Sequence, residues 1–287
     1  TIGEDAFRQE YEAEFLGSSN TLVSYEKLQE LSYISPIYRK NDVDVFEEED
    51  KTHSYVITVD VARGQGLDYS AFTVFDITNI PYKIVAKYKN NHVAPLVFPN
   101  IINIIGKKYN NAYILIEVND IGSQVSDVLH HDLEYENLFS TAWYGRHGQQ
   151  LSGFVGGKRD SQFGVRTTKS MKKIGCSNLK ALIEDDKLLI PDYDMISELT
   201  TFVSSADSYS AEEGANDDLV ITLVLFAWMV DQQYFKDLSN QNIRSNLYKN
   251  QLNELEDMTT PFGIISNGLD KDLSEIDNMG NVWTNVE

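Results

Sequence analysis

Three acidic positions stand where a folded core tolerates no isolated charge. Asp60 ends the run Tyr55-Val56-Ile57-Thr58-Val59, and Glu117 follows Tyr113-Ile114-Leu115-Ile116. Asp217-Asp218 opens Leu219–Val230, the most apolar stretch of the chain. A carboxylate inside a buried strand costs several kcal/mol unless it is paired or binds a metal. Each position also has a purely structural reading. Asp60 could cap the turn at Gly64, Glu117 could pair with a lysine, and Asp217 could be the N-cap of the last helix. Taken together, adjacent central strands and a helix facing them bring these acids to one point. Convergent carboxylates with no His or Cys partner suit hard divalent ions, Mg²⁺ or Mn²⁺. Two such ions about 4 Å apart activate a water and stabilise the leaving 3′-oxygen in phosphodiester cleavage. In that scheme Glu117 is a strand-end ligand, Asp218 reaches in from the helix start, and Asp217 points elsewhere and caps the helix.

Other chemistries are poorly served. Asp60–Gly66 is a glycine loop after a strand, but a strand follows it, so it fails the context of a dinucleotide fingerprint. Gly156-Gly157-Lys158-Arg159 lacks the spacing and the hydroxyl of a phosphate-binding loop. His53, His92, His130, His131 and His147 fall at no zinc spacing, and Cys176, the single cysteine, supports neither a disulfide nor a cysteine-based metal site. The start Thr1-Ile2-Gly3 lacks an initiator Met and any signal-like apolar segment, which reads as an excised piece with no secretory leader. Leu219–Val230 is too short for a membrane span and reads as a buried helix.

Charge is unevenly spread. The chain has 287 residues and a net charge of −20, yet residues 140–180 hold eight bases against one acid. The bases are Arg146, Lys158, Arg159, Arg166, Lys169, Lys172, Lys173 and Lys180. Such a strip is either a solvated face or a phosphate-binding surface. The acidic remainder argues against a general nucleic-acid coat.

The elements that must position the acids follow from hydrophobic periodicity. Strands are predicted over Ser54–Asp60, Ala71–Ile77, Tyr82–Lys89, Ala112–Val118, Leu138–Tyr144 and Leu188–Ile190. Helices are predicted from about Pro99 to Tyr109 and over Gly122–Leu133, Thr168–Asp185, Asp194–Phe202 and Leu219–Val230. Asn41–Thr52 reads as an acidic linker, Gly145–Phe163 as a mobile loop or hairpin, and Ser204–Gly214 as a turn or hairpin. The first forty residues read as helix with loops. Three hairpin-linked strands followed by alternating helices and strands give an α/β protein, a mixed β-sheet flanked by helices in ribonuclease-H-like order. The expected divisions are 1–50, 51–240 and 241–287, the last a polar acidic tail.

Four spaced motifs resemble the nuclease domain of the large terminase subunit of tailed bacteriophages, T4-like phages in particular. They are Val59–Ser70, Ile116–Gly122, Lys173–Lys180 and Glu212–Val220. Phe7–Ser19 is similar to the hand-over from that family's ATPase domain, which would make 1–50 the end of that domain. The resemblance implies a metal-dependent endonuclease that cuts concatemeric viral DNA during genome packaging. It assigns Asp60, Glu117 and Asp218 as catalytic and metal-binding, with Asp68 a further acidic position near them. Asn216 stands where the family often has His. The basic strip would face DNA. The implied partners are double-stranded DNA, the portal protein, the small terminase subunit and the protein's own ATPase domain. The implied place is the host cytoplasm, on the procapsid and not in the mature virion, with no membrane. A resolvase- or transposase-like nuclease of the same fold, or a non-catalytic docking module for portal or capsid, are the competing expectations.

Overall fold

The computed structural model describes residues 20–66, 68–144, 148–152, 162–205, 208–239, 274–276 and 282–284. The chain divides into two units, 1–243 and 244–287. In the second, Ser274–Ile276 pairs antiparallel with Val282–Thr284.

In the first unit a short helix α1 (Tyr25–Glu30) precedes strands β1 (Tyr38–Lys40) and β2 (Val43–Val45). Three long strands follow, β3 (Tyr55–Asp60), β4 (Ser70–Asp76) and β5 (Tyr82–Asn90). Then come α2 (Phe98–Lys108), β6 (Tyr113–Ile116) and α3 (Gly122–Asp127), the last extended by a wider turn over Val128–Asp132. The central sheet runs β1-β2-β5-β4-β3-β6. β3 pairs antiparallel with β4 and parallel with β6, the open-sheet order expected of the ribonuclease-H-like reading.

The segment read as a linker is partly strand. Val43–Val45 pairs with β5 and is wholly buried. Its Asp44 lies within 3.7 Å of Lys87, so its charge is answered from the next strand. A three-residue strand carrying an acid shows no legible alternation.

The predicted fifth strand is shorter, β7 (Ser140–Trp143), and belongs to a separate small sheet with β8 (Gln149–Ser152) and β9 (Gln162–Phe163). The segment leading into it meets β6 of the central sheet through the pairing of Ile114 with Leu138. Residues predicted as loop therefore supply two strands. The rest of that stretch, with Arg146, Lys158 and Arg159, lies outside the described residues.

The remaining elements are α4 (Lys169–Glu184), β10 (Leu188–Leu189), α5 (Tyr193–Thr201), the hairpin β11 (Phe202–Ser205) and β12 (Ser208–Ala211), and α6 (Asp218–Asp231). β10 pairs in parallel with β5. Successive side chains of a strand point to opposite faces. Ile57 and Val59 thus join Phe72, Val74 and Tyr88 against Phe98 and Ile102 of α2, while Val56, Ala71, Phe75 and Leu115 face α6. The sheet is sandwiched between two apolar layers.

α6 is buried on every side, which explains why it is apolar all round. Its polar Thr222 is the clasp to the sheet. Thr58 donates to the Thr222 carbonyl at 2.8 Å, and the Thr73 and Thr222 hydroxyls lie 2.6 Å apart. Phe226 stacks on Phe75 at 3.9 Å. α4 approaches α6 closely because Gly175 has no side chain. A Cβ there would lie 2.7 Å from the Val224 carbonyl oxygen.

Candidate metal and nucleic-acid site

The parallel register places Asp60 and Glu117 side by side. Val59 pairs with Ile116, and the Glu117 amide donates to the Val59 carbonyl at 2.9 Å. Neighbours in parallel register share a face, and alternation sends both carboxyls toward α6. The two carboxyls lie within hydrogen-bonding range of each other. Asn119 Nδ2 donates to Glu117 Oε1 at 3.0 Å and to the Thr167 carbonyl at 3.1 Å, fixing the second acid. Past Glu117 the backbone turns sharply at Gly122, where a Cβ would sit 1.8 Å from the Glu117 carbonyl oxygen.

Asp218 comes from the opposite side, in the first turn of α6, and is 9% exposed. The Tyr69 amide donates to its Oδ1 at 3.1 Å. Asp217 is the residue before the helix, but its side chain accepts no capping bond, contrary to the sequence reading. It lines the same cleft as Asp60, Asp68 and Asp218, and its Oδ2 lies 3.7 Å from Lys172 Nζ. The capping role falls to Glu198 of α5, whose Oε2 accepts from the Leu219 and Val220 amides at 2.9 and 3.1 Å. Lys89 Nζ donates to Glu198 Oε1 at 2.5 Å and sits 4.5 Å from the centre of the Tyr69 ring. Glu198 and Lys89 were not legible as site residues, because they are over a hundred positions apart and no motif joins them.

The cleft holds about 250 Å³. Its electrostatics are those of crowded acids. Burial pushes the Asp60 carboxyl well above the usual range, and the charges of Glu117, Asp218 and Asp217 push the same way. Asp218 is pushed up to about 6, chiefly by burial, against the pull of the Tyr69 amide and Lys89. Among the described residues no three His, Cys, Asp or Glu side chains stand close enough to enclose an ion in this arrangement. Asp60 and Glu117 interact with one another, and Asp60 and Asp218 line the same cleft. The donor chemistry nevertheless fits a hard divalent cation. All three are carboxylates at the ends of rigid elements, and the raised proton affinity of Asp60 and Asp218 marks a site short of positive charge.

The basic residues sort into two kinds. Thr168 caps α4 by accepting from the Met171 amide at 3.2 Å. With about 100° per residue, Lys169, Lys173 and Lys180 fall within one narrow face of α4 and Lys172 to one side. Lys172 is drawn to Asp217, and Lys180 Nζ lies 3.7 Å from Glu184. Arg166, Lys169 and Lys173 are exposed and have no acidic partner among the described residues. Arg166 follows Val165, which pairs with Glu117, so it begins at the strand end that carries the acids. No helix of the described residues is long and apolar enough to cross a membrane.

Comparison with known proteins agrees with this fold. The family described as Terminase RNaseH-like domain matches residues 57–237. The large terminase subunit of Thermus virus P23-45 is 25% identical over 225 residues, 76% of this chain and 40% of that protein. The chain thus spans about 40% of the length of that curated relative. Among solved structures, the large terminase nuclease of thermophilic phage G20c with bound magnesium superposes with a TM-score of 0.56 at 22% identity, covering 74% of this chain and 97% of that one. The same nuclease with bound cobalt gives 0.55 at 22% identity, with the same coverage. The Thermus phage P74-26 large terminase nuclease domain gives 0.52 at 22% identity, covering 72% and 93%. At this identity the likeness speaks for the fold.

Proposed function

The chain belongs to the terminase RNaseH-like domain family, and from that premise we propose that it is a divalent-metal-dependent endodeoxyribonuclease that cuts viral DNA during genome packaging. The observation that carries the reading is the Asp60–Glu117 pair at adjacent strand ends, facing a helix that begins with Asp218. Asp60, Glu117 and Asp218 would hold Mg²⁺ or Mn²⁺, in a one- or two-ion site, with Asp217 and Asp68 at its edge. When bound, such ions lower the pKa of a coordinated water and neutralise charge on the leaving oxygen.

The protein's own contribution is orientation. Asn119 holds Glu117, the Tyr69 amide holds Asp218, and the Glu198 cap fixes the helix that carries Asp218. The bases at the head of α4 would hold the phosphates of the duplex, while the acids of the cleft repel them unless countercharge is present. In its packaging setting, the full protein would act in the host cytoplasm with its ATPase domain, the small subunit and the portal. Those partners follow from the resemblance of the four motifs to large terminase subunits. A plasmid-nicking assay with and without metal tests the activity.

Cleavage is expected to need Mg²⁺ or Mn²⁺ and to show little sequence preference, since the sequence shows no recognition helix for base edges. Metal should also register without turnover. A carboxyl whose proton affinity is raised by folding loses stability as pH climbs above its unfolded value. For Asp218 that window runs from 3.8 to about 6. Above it, a divalent ion replaces the missing positive charge. At pH 7.5, metal at a hundredfold excess over Kd should stabilise by about 2.7 kcal/mol, a melting shift of roughly 5–10 °C for a domain this size. At pH 5 the shift should shrink as protons compete. Cutting in excess EDTA, or an equal shift at both pH values, would contradict the assignment.

Changing Arg166, Lys169 and Lys173 together to Ala should weaken duplex binding without lowering the melting temperature. The slope of log affinity against log salt should flatten by about 0.9 per lost phosphate contact. The triple excludes Lys172, whose partner is Asp217. An unchanged slope would place DNA elsewhere.

A further inference from the structure

The cleft contains one feature that the carboxylates do not account for. Arg63 lies three residues beyond Asp60, and Asp120 lies three residues beyond Glu117. The two loops leave adjacent strand ends, and their side chains meet. Arg63 Nε and Nη2 donate to Asp120 Oδ2 and Oδ1 at 2.6 and 2.7 Å, a two-pronged pair. Both residues line the cleft that Asp60, Asp217 and Asp218 line, and Arg63 is the only base among its described lining residues.

We propose that Arg63 is the phosphate anchor of this cleft, and that Asp120 occupies its guanidinium until a nucleic-acid phosphate takes the carboxylate's place. The inference rests on the nuclease reading. A phosphodiester entering a cleft lined by five aspartates meets repulsion, so a fixed cation beside Asp60 has an evident use. The guanidinium fork that grips two carboxylate oxygens grips two phosphate oxygens in the same way.

The pair is built for exchange. Its side chains are 62% and 57% exposed, and an exposed ion pair is worth only about fivefold in an equilibrium constant. The frame around it is firm. The Ala62 amide donates to Ser70 Oγ at 3.1 Å, anchoring the first loop. In the second loop, Asp120 holds a φ of +50°, which Asp tolerates, and the Gly122 amide donates to the Asn119 carbonyl at 3.0 Å. Substrate binding would thus exchange one acid for another on a preset fork, with no rearrangement of the backbone. Release of Asp120 leaves its carboxylate without a countercharge at the cleft wall.

The test measures binding of a fluorescein-labelled 30-base-pair duplex to the whole chain in EDTA, by anisotropy across a salt series. Arg63→Ala should weaken binding about tenfold and reduce the salt slope by about 0.9. Arg63→Lys should recover only part, because an ammonium lacks the fork. Asp120→Asn should tighten binding threefold or more, and that gain should shrink in the Arg63→Ala background. Equal gains from Asp120→Asn in both backgrounds would overturn the exchange, since Asp120 would then act by simple repulsion. Arg63→Ala with parental affinity and slope would overturn the anchor. Parallel nicking assays with Mg²⁺ separate the two levels. A parent that neither binds nor cuts DNA sinks the nuclease reading and this proposal with it. A parent that binds and cuts, with Arg63 variants indistinguishable from it, sinks this proposal alone.

Discussion

Asp60→Asn is expected to abolish cleavage and, in metal-free protein, to raise the melting temperature. The two effects have one cause. Asp60 and Glu117 lie within hydrogen-bonding range at the ends of neighbouring strands, and burial and the surrounding acids oppose ionisation of Asp60. Two such groups share a proton or repel. An asparagine at this position supplies an N–H donor to Glu117 and removes the repulsion. The gain should show at pH 7.5 as a higher melting temperature in EDTA. The same change removes a metal ligand. Metal contributes several kcal/mol to transition-state stabilisation, so a rate loss of about a thousandfold or more is expected. Asp218→Asn should lose as much activity while keeping the Tyr69 bond, since the amide oxygen still accepts it. Calorimetry in EDTA and nicking in Mg²⁺ read the two effects. Retained cleavage would remove Asp60 from the site, and a destabilised metal-free variant would contradict the repulsion argument.

The legible part of the site is the part where a charge breaks an apolar pattern. Asp60 and Glu117 were visible because each ends a run of β-formers, and the parallel register of Val59 with Ile116 then sets them side by side. Asp218 was visible because it opens a helix apolar on every face. The order of the long strands and helices was legible for the same reason, since each fills several turns of its period. What escaped was set either by partners distant along the chain or by elements too short to show a period. Asp217 stood in the N-cap position and read as the cap, yet Glu198 supplies the bonds from α5. Strand β2 escaped because three residues show no period, and because Asp44 looks like a surface acid until Lys87 is placed beside it. The basic strip was legible as charge and not as function. Periodicity put Lys169, Lys172 and Lys173 on neighbouring faces, but only the fold reveals that Lys172 answers Asp217.

Glu198→Ala is expected to be among the most destabilising single changes in the chain, although Glu198 touches no candidate ligand group directly. The side chain is 7% exposed. It satisfies the Leu219 and Val220 amides, which begin a helix buried on all sides and have no water to turn to. It also answers Lys89 at 2.5 Å. Alanine would orphan two buried donors and a half-buried ammonium, and breaking a buried ion pair from one side costs about 3–5 kcal/mol. For a domain this size that is roughly 6–20 °C in melting temperature. Glu198→Gln keeps an oxygen for the amides and loses the charge, so it should fall between the two. The pH response separates a charge effect from a packing effect. Burial pushes Glu198 up to about 7, against Lys89 and the Val220 amide. Its folded proton affinity exceeds the unfolded one, so its contribution to stability declines as pH rises from 4.5 to about 7. Glu198→Gln should flatten that stretch of the stability curve. Glu198 positions Asp218 through the helix start, so the Ala variant should also lose most of the Mg²⁺-induced melting shift, and the Gln variant less. A Glu198→Ala protein that melts within 2 °C of the parent and keeps the full Mg²⁺ shift would show that α6 is held by Thr222 and its apolar packing alone.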